Sequence, residues 1–364
     1  MLRRLDIYNV RNLRRVRLDN LSQANFVYGP NGSGKTSVLE SIHLLSTGRS
    51  FRSITARPVI SHDSGDLTVY GGLAVDSGDS VQPLGVRRDR AGTADIRVGG
   101  VPVRSAAYLA AELPVLVLNS DSFELLMGAP RDRRRFLDWG VFHVEHSFFT
   151  SWQRFQRGVK QRNALLRRDN IRESELSSWT TEIAAAGDAL TASRKRYFYR
   201  LQRRFAEVLE TVLPDAEPVT LQFRQGWDRE RTYLEALQNG LMVDKEQGFT
   251  HTGPQRADIR IAAGDRLAAD ILSRGQQKLV VSALKLAQGH VHAEAKRSGD
   301  CVFLLDDLPS ELDERHLRLV CEEIARMGVQ VFISCIDLSV LRKVWRPSGP
   351  IAVFHVEHGE VAKE

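Results

Sequence analysis

The chain has 364 residues, 42% of them hydrophobic and 26% charged, enough apolar material for one large globular domain or two of middle size. Its longest apolar runs, such as 114–118 and 301–305, fall far short of the ~20 residues that span a bilayer, and residues 1–21 interleave six arginines with apolar positions instead of forming a secretory core, so a cytoplasmic location without a membrane anchor is expected. The net charge of +6 suits a polyanionic partner, and its excess is local: residues 131–204 hold 17 Lys and Arg against 8 Asp and Glu, a balance of +9 that leaves the remainder at −3.

Residues 1–30 alternate apolar and polar positions, with Leu5 and Ile7 and then Val16 and Leu18, before the short apolar run 25–28; this predicts strands feeding a glycine-rich loop. Residues 36–45 place Val38, Leu39, Ile42 and Leu45 at helical spacing, so the loop opens a helix. Between 65 and 103, β-favouring stretches around Val69, Val81, Ile96 and Val101 alternate with turns and predict an antiparallel β layer, and 115–119 reads as a buried strand. After Pro130 the period becomes helical. Trp152, Phe155, Val159 and Leu166 share one face, and Ile183, Leu190, Tyr197, Leu201, Phe205, Val208 and Val212 share another, up to a stop at Pro214. A short helix near 233–241 completes a compact lobe, because the heptads are too few and irregular for an extended coiled coil. Strand character near Ile259 and Ile261 gives way to helix 274–297, strand 301–305, helix 311–327, strand 329–334 and a hairpin near 351–356, the order of an α/β unit with a largely parallel sheet.

Gly29, Pro30, Asn31, Gly32, Ser33, Gly34, Lys35 and Thr36 match G-x-x-x-x-G-K-[ST] between a predicted strand and a predicted helix, the context such a P-loop requires. Glycines let the backbone wrap so that several N–H groups face a phosphate, and the helix that begins there, with Ser37 in its first turn, adds its positive dipole end. Lys35 supplies a point charge to the β and γ phosphates, and the Thr36 hydroxyl suits Mg²⁺, a hard ion that takes oxygen ligands. The apolar run 301–305 ends in Asp306 and Asp307. An ordinary strand entering a polar turn has the same look, but beside a P-loop the pair reads as Asp306 holding the metal and Asp307 orienting or deprotonating the attacking water. The long separation between the two halves of this site requires an inserted lobe. Leu272, Ser273, Arg274, Gly275 and Gln276 precede a long predicted helix; Ser273 can cap it, and Gly275 permits close approach, so Ser273, Gly275 and Gln276 are further candidate nucleotide contacts.

The segment 272–276 resembles the ABC signature L-S-x-G-Q, a loop that in that class faces the nucleotide of a second subunit and so implies an ATP-dependent homodimer. The expected fold is α/β: an ABC-type P-loop ATPase head with a mixed sheet and an antiparallel β layer, with head segments 1–125 and 246–364 flanking a compact α-helical lobe at 126–245. Nearly the whole chain resembles the RecF family, through Arg11, Asn12 and Leu13, residues 29–39, 48–52, 128–143, 159–163, 253–258, 273–278 and 304–307, and Ser310, Glu311, Leu312 and Asp313. That resemblance implies an ATP- and Mg²⁺-dependent protein with weak, DNA-stimulated ATPase activity that binds DNA at single-strand/double-strand junctions without sequence specificity. It also implies partnership with RecR, and through it RecO, in loading recombinase for gap repair, replication restart and SOS induction. Asp307 is one methylene shorter than the glutamate common in the wider ABC class, and 331–335 lacks that class's switch histidine; slow turnover, with binding as the switch, is the expectation. The sequence offers no clear Q-loop glutamine.

Arg131, Arg133, Arg134, Arg135, Arg154, Arg157, Lys160, Arg162, Arg194, Lys195, Arg196, Arg200, Arg203 and Arg204 crowd the inserted lobe. Any one of them is more simply a solvated helix position, but the cluster suits a phosphate backbone. His143, His146, His251, His290 and His292 lack ligand spacing for a metal, and Cys301, Cys321 and Cys335 are too scattered for a zinc site or a disulfide framework. The alternatives are a transporter ATPase subunit, which shares the nucleotide motifs, and an SMC-like structural DNA clamp, which would show long paired heptads.

Overall fold

Strands Ala24–Tyr28, Val302–Leu305 and Gln330–Cys335 are apolar almost throughout and buried along nearly their whole length, as parallel strands covered on both faces must be. In the computed structural model they form the middle of a six-stranded sheet ordered Glu360–Lys363, Ile351–Glu357, Ala24–Tyr28, Gln330–Cys335, Val302–Leu305 and Val115–Leu118, parallel except for the terminal hairpin. The described residues are 1–75, 80–214, 217–296, 300–346 and 349–364. They divide into two compact units, Met1–Ser122 with Ser282–Glu364, and Phe123–Val281.

The first unit also holds an antiparallel sheet of six strands, ordered Leu13–Leu18, Leu2–Val10, Asp66–Ala74, Val81–Asp89, Ala94–Val98 and Val101–Pro102. Where one face is wet the strand Leu13–Leu18 alternates from Arg15 onward: Val16 and Leu18 are buried and Arg15 and Arg17 face solvent, while at its start Leu13 is buried and Arg14 exposed. Helix Lys35–Thr47 contributes Val38, Leu39, Ile42 and Leu45 to one core with Leu5, Ile7, Leu304 and Phe332 from the two sheets. Each of those side chains contributes about 1.5–3 kcal/mol through burial, which fixes the helix and the loop before it. The expected helix 311–327 is split. Asp313 accepts from the backbone N–H of His316 at 2.9 Å and caps Glu314–Arg326, leaving Leu308–Glu311 as a separate turn. The helix expected over 274–297 runs Arg274–Ala295, and residue 297 lies outside the described residues. No helix among the described residues is long and apolar enough to cross a membrane.

The second unit packs helices Pro130–Val144, Phe148–Leu166, Glu173–Val212, Tyr233–Asn239 and Leu241–Gln247 with a small sheet ordered Arg266–Leu267, Asp258–Ala263, Val219–Arg224. Its extent differs from the compact α-helical lobe expected at 126–245, for a physical reason. Asp258–Ala263 pairs along its full length with Val219–Arg224, Ile261 opposite Leu221, so 246–281 packs here instead of with the C-terminal head segment. Three of the arginines expected to grip DNA are also relocated. Arg162 is fully buried, with its guanidinium 2.6 Å from Asp244 and donating to Thr250 and Thr180; Arg194 forks onto Asp138 at 2.7 and 2.8 Å; Arg133 forks onto Asp258 at 2.8 and 3.1 Å. They hold the unit together.

Candidate nucleotide site

At the carboxyl ends of the parallel strands, where α/β sheets place ligands, Tyr28 runs into the loop 29–34 and Leu305 into Asp306 and Asp307. Gly29 has φ +149°, and a Cβ there would lie 2.1 Å from the carbonyl oxygen of Val356. Gly34, at φ +122°, would press a Cβ against Leu13 and Asn12 at 2.9 and 3.1 Å. Only glycine fits at either end of the loop. Asn12, from the turn of the first hairpin, donates to the carbonyl of Ser33 at 2.8 Å and accepts from the Ser37 hydroxyl at 3.2 Å, stitching the loop to its helix.

Lys35 is buried, and its ammonium donates to the carbonyls of Gly29 and Pro30, both at 2.9 Å, so it is held over the mouth of the loop. Burial lowers its pKa, while Asp307 pulls in the opposite direction. The Thr36 hydroxyl donates to Asp306 Oδ1 at 2.9 Å. Ser334, on the strand between the two halves of the site, also donates to Asp306 Oδ1, at 2.8 Å, and accepts from the backbone N–H of Asp307 at 2.8 Å. Burial raises the pKa of Asp306, against the pull of the bonds from Ser334 and Thr36. Asp307 follows with left-handed backbone, φ 54°, a conformation that costs on the order of 1 kcal/mol in a non-glycine residue and clusters at functional positions.

Sequence reasoning missed the rest of the lining. A cavity of about 310 Å³ brings Arg11, Asn12, Arg52 and Ser334 together with Lys35, Thr36, Ser37 and Asp307. Beneath it the fully buried Glu40 receives Arg11 bidentately at 2.9 Å, a hydrogen bond from Ser50, and Arg52 Nη1 at 4.0 Å. The signal was a lone carboxylate among the apolar positions of a buried helix, which demands cationic partners. Ser334 carried no such signal; only the strand order puts it between the acids.

This set fits a nucleotide with a divalent cation. The buried Ser33 hydroxyl has no hydrogen-bond partner among the described residues, the loop presents backbone donors, and Thr36 with Asp306 offers adjacent hard oxygens to an ion that keeps several waters. Among the described residues no cluster of three or more His, Cys, Asp or Glu could hold a metal. The cysteines are buried free thiols. Ser273, Gly275 and Gln276 lie in the second unit. The Ser273 hydroxyl accepts from the Gln276 N–H at 3.3 Å while Gln276 Oε1 accepts from the Ser273 N–H at 2.9 Å, a reciprocal cap on the long helix, and the exposed Gly275 has open space where a Cβ would be.

A family model described as the RecF/RecN/SMC N terminal domain matches residues 1–362. The chain is 47% identical over 362 residues to the DNA replication and repair protein RecF of Stutzerimonas stutzeri, covering 100% of this chain and 97% of that protein. It is 48% identical over 362 residues to the protein of the same name from Azotobacter vinelandii, covering 100% and 98%. Among solved structures, the recombination mediator protein RecF-ATP in the RecFOR pathway superposes with a TM-score of 0.85 at 24% identity, covering 100% of this chain and 97% of the other. An Smc head bound to the C-winged helix domain of ScpA superposes at 0.57 and 13% identity, covering 100% and 97%. The structural likenesses show a shared head fold.

Proposed function

Because this chain belongs to the RecF family of DNA replication and repair proteins, we propose that it is an ATP-dependent, DNA-binding protein of recombinational gap repair that acts in the cytoplasm. The observation that carries this reading is the meeting of Lys35, Thr36, Asp306 and Asp307 at one end of the parallel sheet. Loop residues 29–34 and Ser37 seat the phosphates, and Lys35 neutralises the β and γ groups. Thr36 and Asp306 would hold Mg²⁺, which when bound would neutralise phosphate charge. Asp307 orients the attacking water or takes its proton; being short, it does so poorly, and hydrolysis is weak and stimulated by DNA. Ser273, Gly275 and Gln276 contact the nucleotide of a second copy, so ATP closes a homodimer on a single-strand/double-strand junction. RecR, and through it RecO, then draws the complex into recombinase loading, replication restart and SOS induction, as expected of a chain similar to a protein of the RecFOR pathway.

The test is the size of the protein in solution with ATP, with ADP and without nucleotide, each with and without gapped DNA. Wild type is expected to dimerise with ATP alone among these, and more readily on DNA. Lys35→Met loses nucleotide affinity and dimerisation together, Ser273→Arg keeps nucleotide but stays monomeric, and Asp306→Asn binds ATP without magnesium-dependent turnover. A monomer in every condition overturns the trans role of residues 273–276.

A further inference from the structure

In the second unit, helix Glu173–Val212 and strand Val219–Arg224 enclose a groove of about 310 Å³, at the small end of the range that accepts ligands, lined among the described residues by two cations, Lys195 and Arg229, and no acid. Tyr199 on its rim is 65% exposed. Below it, Phe198 and Phe223 pack with centroids 5.7 Å apart and fix the floor. Lys195 is held in place by the carboxamide of the buried Gln225, at 2.8 Å, so its charge is positioned rather than mobile.

The strand is an edge of its sheet, and an exposed edge ordinarily invites another strand. Here two carbonyls that would receive one are already engaged: Leu221 accepts from Gln202 Nε2 at 2.8 Å and Phe223 from Arg229 at 3.1 Å. Strand addition by a peptide is therefore blocked. The lining still offers an aromatic face, a pair of cations and the exposed amide of Gln222. We infer that this groove takes an unstacked base and its adjoining phosphate from single-stranded DNA, with Tyr199 as the stacking platform and Lys195 and Arg229 as the phosphate contacts. The inference rests on the DNA-binding reading above and adds a site to it, separate from the nucleotide site.

The experiment titrates the full chain with a 2-aminopurine-labelled single strand, a blunt duplex, gapped DNA and deoxythymidine monophosphate. Wild type should quench the single-strand fluorescence; Tyr199→Ala should weaken single-strand binding about ten-fold and remove the quench, Tyr199→Phe should retain both, and duplex affinity should stay within about two-fold. Lys195→Gln with Arg229→Gln should lower the salt dependence of single-strand binding by about 1.4 in log–log slope. Equal single-strand affinity in wild type and Tyr199→Ala overturns the inference, as does deoxythymidine monophosphate binding as tightly as the strand, which would make the groove a mononucleotide pocket. A wild type that binds gapped DNA but no single strand overturns this inference alone; one that binds no DNA in any form overturns the functional reading with it.

Discussion

His43 lies on the same helix as Lys35, its ring edge-on to Phe51 and its Nδ1 2.8 Å from the carbonyl of Arg49. Burial pushes its pKa down to about 4, and that of His292 likewise. The unfolded chain takes up a proton near pH 6.5 that the folded chain refuses, so the native state keeps its full stability above that pH and loses about 1.4 kcal/mol per pH unit per histidine as pH falls toward 4. Denaturant unfolding at pH 7 and pH 5 should therefore show His43→Asn less acid-sensitive than wild type by about 2 kcal/mol, with the Asn side chain still able to donate to Arg49. An identical loss in both proteins would mean His43 is not held neutral by its surroundings.

At the scale of elements, the second unit is tied by a buried ion pair between helix Phe148–Leu166 and helix Leu241–Gln247. Asp244 also accepts from His251 through N–H and Nδ1, both at 2.9 Å, while Thr250 donates to Asn163 at 2.8 Å. Removing one charge leaves the other buried without its ionic partner. Arg162→Met is expected to cost about 3–5 kcal/mol of unfolding free energy, whereas Arg162→Met with Asp244→Leu should recover much of that. If the double variant is as unstable as the single one, the hydrogen bonds to Thr180 and Thr250, not the stranded charge, dominate.

For the whole molecule, the basic segment 131–204 divides once pairing is known. Arg133, Arg162 and Arg194 are internal, Arg154 and Arg196 are paired with Glu182 and Glu145, and Arg131, Arg157 and Lys160 are exposed and make no ion pair among the described residues. These last three are residues of the segment with charge to give to a phosphate backbone, as are the exposed Arg167, Arg172 and Lys195, which also make no ion pair among the described residues. Changing Arg131, Arg157 and Lys160 to Gln should reduce the salt slope of duplex binding by about 2.7 with no change in ATP affinity. An unchanged slope would place the duplex on another surface.

By itself the sequence determined the loop 29–36, the strand ending in Asp306 and Asp307, and the capped start at Ser273, because each is local: a few neighbouring residues dictate backbone conformation and chemistry together. Periodicity also made the helices legible, since burial along one face is written every three or four residues. Only the tertiary structure decided that Ser334 bridges the two acids, that Arg11 and Arg52 gather on Glu40, that 258–263 pairs with 219–224, and which arginines face solvent. Those outcomes depend on strand order and on pairing between residues far apart in the chain, where a count of charges records how many there are but not whether each has a partner.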